Sequence, residues 1–208
     1  MFSSEGFCPA SVGVSRETME GLIRFVSLLE RWNQKLNLVS SGSLEDVWER
    51  HVRDSAQLAQ WFPRSARRYL DIGSGAGFPG LVLALCLRGE GMDLSTTLVE
   101  SDRRKAEFLR HAIRELGLTA KVISERIERC EPLHADVITA RAVAPLSHLL
   151  GFAVQQLGDR GRALFPKGRN WNDEIRDARQ FFRFEVTPHQ SSTDSSAAVL
   201  EIWDIRRG

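Results

Sequence analysis

The chain has 208 residues, 42% hydrophobic and 26% charged, enough to bury a core as one domain with a small appendage. Its formal net charge of +1, with arginine far outnumbering lysine among 28 basic residues, excludes a strongly polyanion-seeking composition but leaves room for bidentate phosphate contacts. No stretch reaches the roughly 18 apolar residues of a membrane span, and Met1 to Ser15 has no basic start followed by an apolar run, so a cytoplasmic protein is expected.

Cys8, Cys86 and Cys130 lie far apart, and the five histidines show no ligand spacing, so no metal or disulfide framework is expected. From Ser15 to about Val39, the residues Leu22, Val26, Leu29, Trp32 and Leu36 recur at helical steps and predict one amphipathic helix. A second helix is predicted from Ser43, where Ser43-Leu44-Glu45-Asp46 resembles a capping box, toward Trp61, stopping before Pro63. These place a helical extension over residues 1–64 and a second unit over 65–208.

Beyond Pro63 short apolar runs alternate with helical ones. Strands are predicted near Arg68 to Gly73, Asp93 to Glu100, Ala120 to Ser124, Asp136 to Arg141 and Arg162 to Pro166. Helices are predicted near Pro79 to Leu87, Arg103 to Leu116, Pro145 to Leu157 and Trp171 to Phe182. Such alternation gives an α/β fold with a parallel sheet covered on both faces. Two further runs, Arg183 to Val186 and Ala197 to Ile205, are joined by the polar loop around Ser191 to Ser196 and read as an antiparallel hairpin. A mostly parallel sheet ending in a reversed hairpin points to S-adenosylmethionine (SAM) methyltransferases rather than a simple dinucleotide domain.

The first strand runs into Asp71-Ile72-Gly73-Ser74-Gly75-Ala76-Gly77-Phe78-Pro79-Gly80. Glycines there allow positive φ and close approach of a ligand to the backbone. Gly75 to Gly80 matches a dinucleotide fingerprint, and Glu100, 20 residues after Gly80, suits a ribose diol in either cofactor. Asp71 discriminates, because a carboxylate there favours the cationic methionyl end of SAM and repels a pyrophosphate. The segment Ser124 to Glu128 after the third strand is a candidate contact for adenine. An NAD-dependent oxidoreductase, a SAM enzyme for another RNA, a protein or a small molecule, and a non-catalytic SAM-dependent RNA binder are the rival readings.

Absences narrow the chemistry. The end of the fourth strand reads Thr139-Ala140-Arg141-Ala142, not the Asp/Asn-Pro-Pro-aromatic pattern of exocyclic amine methylation, and no Pro-Cys pair offers a nucleophile for pyrimidine carbon-5. Guanine N7 carries a free lone pair and no proton, so positioning suffices without a general base. Arg141 could hold a phosphate, the cofactor carboxylate or a guanine edge.

Taken in order, Trp32 to Val39 (WNQKLNLV), Arg50 to Ser55 (RHVRDS), Asp71 to Gly80, Glu100-Ser101, Ala140 to Ala142 and Pro166-Lys167-Gly168 resemble the RsmG family, also called glucose-inhibited division protein B. The resemblance spans nearly the whole chain. It implies a class I SAM-dependent methyltransferase (a Rossmann-like, seven-stranded sheet) with an N-terminal helical extension, SAM as donor, and N7 of a guanine in the decoding-region hairpin of 16S rRNA as acceptor. By position, the implied cofactor contacts are Gly73, Phe78, Glu100, Ile127, Glu128 and Arg141, beside Asp71, Ser74, Gly75 and Gly77 of the turn. No residue of the pattern is an evident acid or base. Asn37, His51 and Asp54, with Arg141, are expected to position the guanine, and Arg50, Arg53, Arg126, Arg141, Lys167 and Arg169 to contact RNA. No interface pattern stands out, and a monomer is expected.

Overall fold

A computed structural model describes residues 13–208. Helix α1 (Arg16–Leu36) starts where the Ser15 hydroxyl accepts the Thr18 N–H, and it ends at Asn37, whose φ of 46° is left-handed and whose N–H donates to the Asn33 carbonyl. Its buried stripe includes Leu22, Phe25, Val26 and Leu29, each of which contributes about 1.5–3 kcal/mol by leaving water.

The second helix predicted from Ser43 is instead a run of short pieces. Helix α2 (Ser41–Glu45) is capped by Ser40, whose hydroxyl accepts the Ser43 N–H, so the cap lies three residues earlier than predicted and Ser43 sits inside the first turn. A π-helical turn at Trp48–Arg53, helix α3 (Asp54–Ala56) and a 3-10 turn at Gln57–Trp61 follow. The wide turn lets Val47 and Val52, five residues apart, both face the core while Glu49, Arg50 and Asp54 stay on the other side.

The sheet comprises β1 (Arg68–Ile72), β2 (Ser95–Val99), β3 (Ala120–Ile123), β4 (Ala135–Ala140), β5 (Leu157–Lys167), β6 (Phe182–Gln190) and β7 (Ala198–Arg207) in the order β3-β2-β1-β4-β5-β7-β6. All neighbours are parallel except β7, which runs antiparallel to both β5 and β6. The predicted terminal hairpin is therefore present. Strand β5 starts five residues before Arg162, because Ala135 pairs with Leu157 and Val137 with Arg162, leaving the intervening residues out of register.

Helices α4 (Gly80–Gly89), α5 (Arg103–Glu115), α6 (Leu146–Gln156) and α7 (Trp171–Ala178) cover the two faces. On one face α1, α4, α5 and the short helical pieces share a core that includes Phe25, Leu29, Val52, Leu81 and Phe108. On the other, α6 and α7 pack on Leu70, Ile72, Ile138, Phe165 and Leu200. The extension predicted over residues 1–64 thus shares its core with the sheet domain. Strand β1 alternates accordingly: Leu70 and Ile72 face α6, while Tyr69 and Asp71 face α4.

Candidate active site

The strand order reverses between β1 and β4, so a crevice opens at their carboxyl ends, where ligands bind in open α/β sheets. The glycine turn lies there. Gly73, Gly75 and Gly77 have φ of 66°, 53° and 92°, conformations that side-chain-bearing residues rarely hold. The Gly73 and Ser74 amides donate to the Val99 carbonyl at 2.9 and 3.1 Å, tying the turn to the end of β2. Glu100 locks it further: Oε2 accepts from the Gly75 amide at 2.8 Å and Oε1 from the Asp102 amide at 2.7 Å. Each oxygen retains a lone pair, so the same carboxylate can receive a ribose diol.

Asp71, expected to favour the cationic methionyl end of SAM, does not sit at the mouth of the turn. It is completely buried beneath it. Oδ1 accepts from the Thr139 hydroxyl at 2.6 Å, and that hydroxyl is in turn 2.8 Å from the Tyr69 phenol. Oδ2 has no hydrogen-bond partner. A Cβ on Gly80 would come within 2.6 Å of that oxygen, so only glycine lets the first turn of α4 close over Asp71. Burial pushes the Asp71 carboxyl up to about 6, against the pull of the Thr139 hydroxyl and the Arg141 charge. Ser74 is buried as well, its hydroxyl donating to the Asp71 carbonyl at 3.1 Å.

A cavity of about 260 Å³ opens beside the turn, lined by Gly73, Ser101, Arg126, Ile127, Glu128 and Val143 among others. The sequence-derived pair Ile127 and Glu128 thus joins Gly73 at one site. Ile127 offers an apolar surface on the 3-10 turn Ile127–Arg129, next to the end of β2. A larger cleft of about 1070 Å³ adjoins it, lined by Arg50, Asp54, Arg141, Lys167 and the Ser191–Ala197 loop. Val143 and Ala144 border both spaces.

Arg141 fastens the extension to this cleft. Nη1 donates to the Arg50 carbonyl at 3.0 Å and to Asp54 Oδ2 at 3.1 Å, Nη2 lies 3.0 Å from His51 Nδ1, and the guanidinium sits 5.4 Å from the Phe78 ring centroid. Because a guanidinium only donates, His51 Nδ1 accepts and the imidazole proton resides on Nε2, which is buried without a partner. Burial, then the Arg141 and Arg50 charges, push His51 down to about 4. The His51 ring stacks on Phe78 at 5.0 Å, and Phe78 also packs against Phe25. The Phe78 ring is therefore a core element joining extension and domain, away from both cavities.

Other expected contacts separate. Asn37 terminates α1 and lines neither cavity, so of the positioning set only Asp54 and Arg141 face the cleft, with His51 behind Arg141. Arg53 pairs with Glu49 at 2.6 Å, outside the lining, and Arg126 belongs to the smaller cavity. Arg50 and Lys167 do line the cleft, and Arg169 lies close enough to Asp194 for its charge to act on that carboxyl. The Lys167 amine is already engaged: it donates to the Ala144 carbonyl at 3.0 Å and to Glu174 Oε2 at 2.7 Å, while that oxygen also accepts the Leu146 amide at 2.8 Å. This pair pins both ends of the Ala144–Leu146 segment.

Sequence reading missed the Val143–Ala144 wall, Glu174 and the wall role of the hairpin loop. Asp54 and Gln57 brace that loop: Asp54 Oδ1 accepts from the Thr193 hydroxyl at 3.0 Å, and Gln57 Oε1 accepts the Ser192 amide at 2.8 Å. Among the described residues no group of three or more His, Cys, Asp or Glu is placed to hold a metal, and no helix is long and apolar enough to cross a membrane. Cys86 and Cys130 are free, and Cys8 lies outside the described residues.

These features suit SAM: a two-oxygen acceptor for a ribose diol, an apolar contact at Ile127, and a glycine turn that lets a ligand approach the backbone closely. Solved structures agree on the fold. The chain resembles a TehB-like SAM-dependent methyltransferase from Corynebacterium glutamicum (TM-score 0.56, 15% identity, 84% of this chain and 96% of that one). It also resembles a mutant of MtNAS in complex with S-adenosylmethionine (TM-score 0.57, 16% identity, 89% of this chain and 75% of that one). Closer in sequence are proteins named ribosomal RNA small subunit methyltransferase G. That of Ruegeria sp. (strain TM1040) is 44% identical over 98% of this chain and 99% of its own, and that of Cereibacter sphaeroides (strain ATCC 17023) is 47% identical over 93% and 94%. The model of that family matches residues 18–201, from the first turns of α1 to the middle of β7. With the glycine turn, the Glu100 acceptor and the closing hairpin all in place, the chain belongs to the rRNA small subunit methyltransferase G family, whose cofactor is SAM.

Proposed function

We propose that the protein methylates N7 of a guanine in the 16S rRNA of the small ribosomal subunit, acting as a cytoplasmic monomer. The observation that carries this reading is the large cleft abutting the cofactor cavity at Val143 and Ala144, with Arg50 and Arg141 on its walls. SAM supplies a methyl group on a sulfonium, which a ring nitrogen can take up directly.

Glu100, Gly73, Ile127 and Glu128 would hold the cofactor, with Gly75 and Gly77 shaping the turn and Asp71, Ser74 and Phe78 supporting it from below. Asp54 and Glu174, two carboxylates on the cleft wall, are engaged with Arg141 and Lys167. Neither is free to accept a proton, and N7 has none to give. Catalysis then rests on placement: the cleft walls hold the base, exclude water and align the lone pair. Arg50 and Arg141 add positive charge for the RNA backbone, with Arg169 at the rim.

The test is transfer of label from SAM to small subunits and to their extracted rRNA, both from cells lacking this protein, followed by nucleoside analysis. Labelled 7-methylguanosine is expected. Label on another nucleoside or on protein would overturn the acceptor, and whichever substrate is labelled identifies the assembly stage.

A further inference from the structure

The large cleft contains four carboxylates, and three are committed within the protein. Glu49 pairs with Arg53 at 2.6 Å, Asp54 with Arg141 and Thr193, and Glu174 with Lys167 and the Leu146 amide. Asp194 differs. Its Oδ1 accepts the Ser196 amide at 2.8 Å and the Ser196 hydroxyl at 2.7 Å, while Oδ2 has no hydrogen-bond partner among the described residues, on an exposed residue that lines the cleft.

This carboxylate is held in place rather than floating on a loop tip. The Ala197 amide closes on the Asp194 carbonyl at 3.0 Å, and the Ser191 amide on the Ala197 carbonyl at 3.2 Å. From outside the loop, Gln57 takes Ser192 and Asp54 takes Thr193. A polar Ser/Thr/Asp run that reads as a solvated turn is thus a braced wall, and a ligand meeting it need not order it first. The Ser196 hydrogen bonds hold the Asp194 carboxyl below the usual carboxylate range, so it is ionised at neutral pH.

An acceptor-only oxygen in a purine cleft selects for a donor. Guanine carries one that adenine and hypoxanthine lack, the exocyclic 2-amine, at the end of the base remote from N7. We infer that Asp194 is a specificity residue of the acceptor cleft, its Oδ2 accepting a hydrogen bond from the 2-amine of the target guanine. With that end held at the β6–β7 loop, the N7 end faces the Val143–Ala144 border. This inference rests on the reading of the cleft as a guanine site.

The test replaces the target guanosine by inosine, which keeps N7 and loses the 2-amine, in the free rRNA or reconstituted subunit that the protein labels. For the unmodified protein, kcat/KM and RNA affinity are expected to fall roughly tenfold to a hundredfold on inosine, the range for losing a hydrogen bond to a charged group. Asp194→Asn keeps an oxygen for Ser196 but puts a donor where Oδ2 was. It should lose a similar factor on guanosine and discriminate less than about threefold between the two bases. Calorimetric SAM affinity, expected unchanged, reports that the variant is folded. A variant that retains the full preference for guanosine, or an unmodified protein that has none, would overturn the assignment. Absence of 7-methylguanosine from every reaction of the unmodified protein would instead remove the guanine-site reading, and this inference with it.

Discussion

Asp71 should make the folded state sensitive to pH in a direction opposite to that of an ordinary paired carboxylate. Its carboxyl moves from 3.8 to about 6 because it is fully buried, a penalty that the Thr139 and Ser74 hydroxyls and the Arg141 charge only partly offset. In the interval between those values the folded chain holds a proton that the unfolded chain has released. The Asp71 contribution is therefore full below about 3.8 and is lost as pH rises through about 6. At roughly 1.4 kcal/mol per pH unit, the loss amounts to about 3 kcal/mol. His51 acts in the opposite sense over the same window. With a folded value of about 4 against 6.5, it is protonated first in the unfolded chain, so its contribution grows as pH rises. Partial exposure to solvent limits the His51 term to on the order of 1–2 kcal/mol. The two partly offset each other in the unmodified protein, so a simple pH scan would understate the Asp71 contribution. Comparison with Asp71→Asn, which keeps an acceptor for the Thr139 hydroxyl, removes the His51 part. Urea unfolding of both proteins between pH 4 and 8, a window that opens with part of the Asp71 contribution already gone, should show the difference in stability falling by about 2.5 kcal/mol as pH rises. A difference that does not change with pH would mean that Asp71 ionises normally and is not the sealed carboxyl described above.

Arg141→Met should raise His51 from about 4 but leave it below 6.5, because burial, the largest cause, remains; NMR titration of the imidazole checks this, and an unmoved value would separate Arg141 from Nδ1. Glu100→Ala strands the Gly75 and Asp102 amides and removes the diol acceptor. A loss of about 1–3 kcal/mol in unfolding stability and of more than about tenfold in SAM affinity by calorimetry is expected. Unchanged affinity would take Glu100 out of the cofactor site.

Period and punctuation made most of the fold legible: the strand-helix alternation after Pro63, the glycine turn and the reversed tail all correspond to observed elements. Ser43 misled because Ser40, three residues earlier, competes for the same first turn, and only the backbone shows which hydroxyl faces the free amide. The π-helical turn at Trp48–Arg53 escaped because Val47 and Val52, buried five residues apart, fit no regular helical period. At the site, glycines and Glu100 announced themselves through backbone geometry and chemistry. Asp71 was noticed for its charge, yet its placement depends on which face of β1 it occupies and on how closely Gly80 approaches. The Val143 wall and the Lys167–Glu174 pair were invisible, since ordinary residues acquire those roles only when β5, α7 and the β4–α6 connection meet.

The short connection from β4 to α6 therefore bears a constraint on its length as well as its composition. It is anchored at Arg141, at the Ala144 carbonyl and at the Leu146 amide, three points within six residues. An added or deleted residue there cannot be absorbed by bulging into solvent, as it can in most surface loops, without shifting the border between the two cavities. Among relatives, this connection should keep its length while the loops on the opposite edge of the sheet drift.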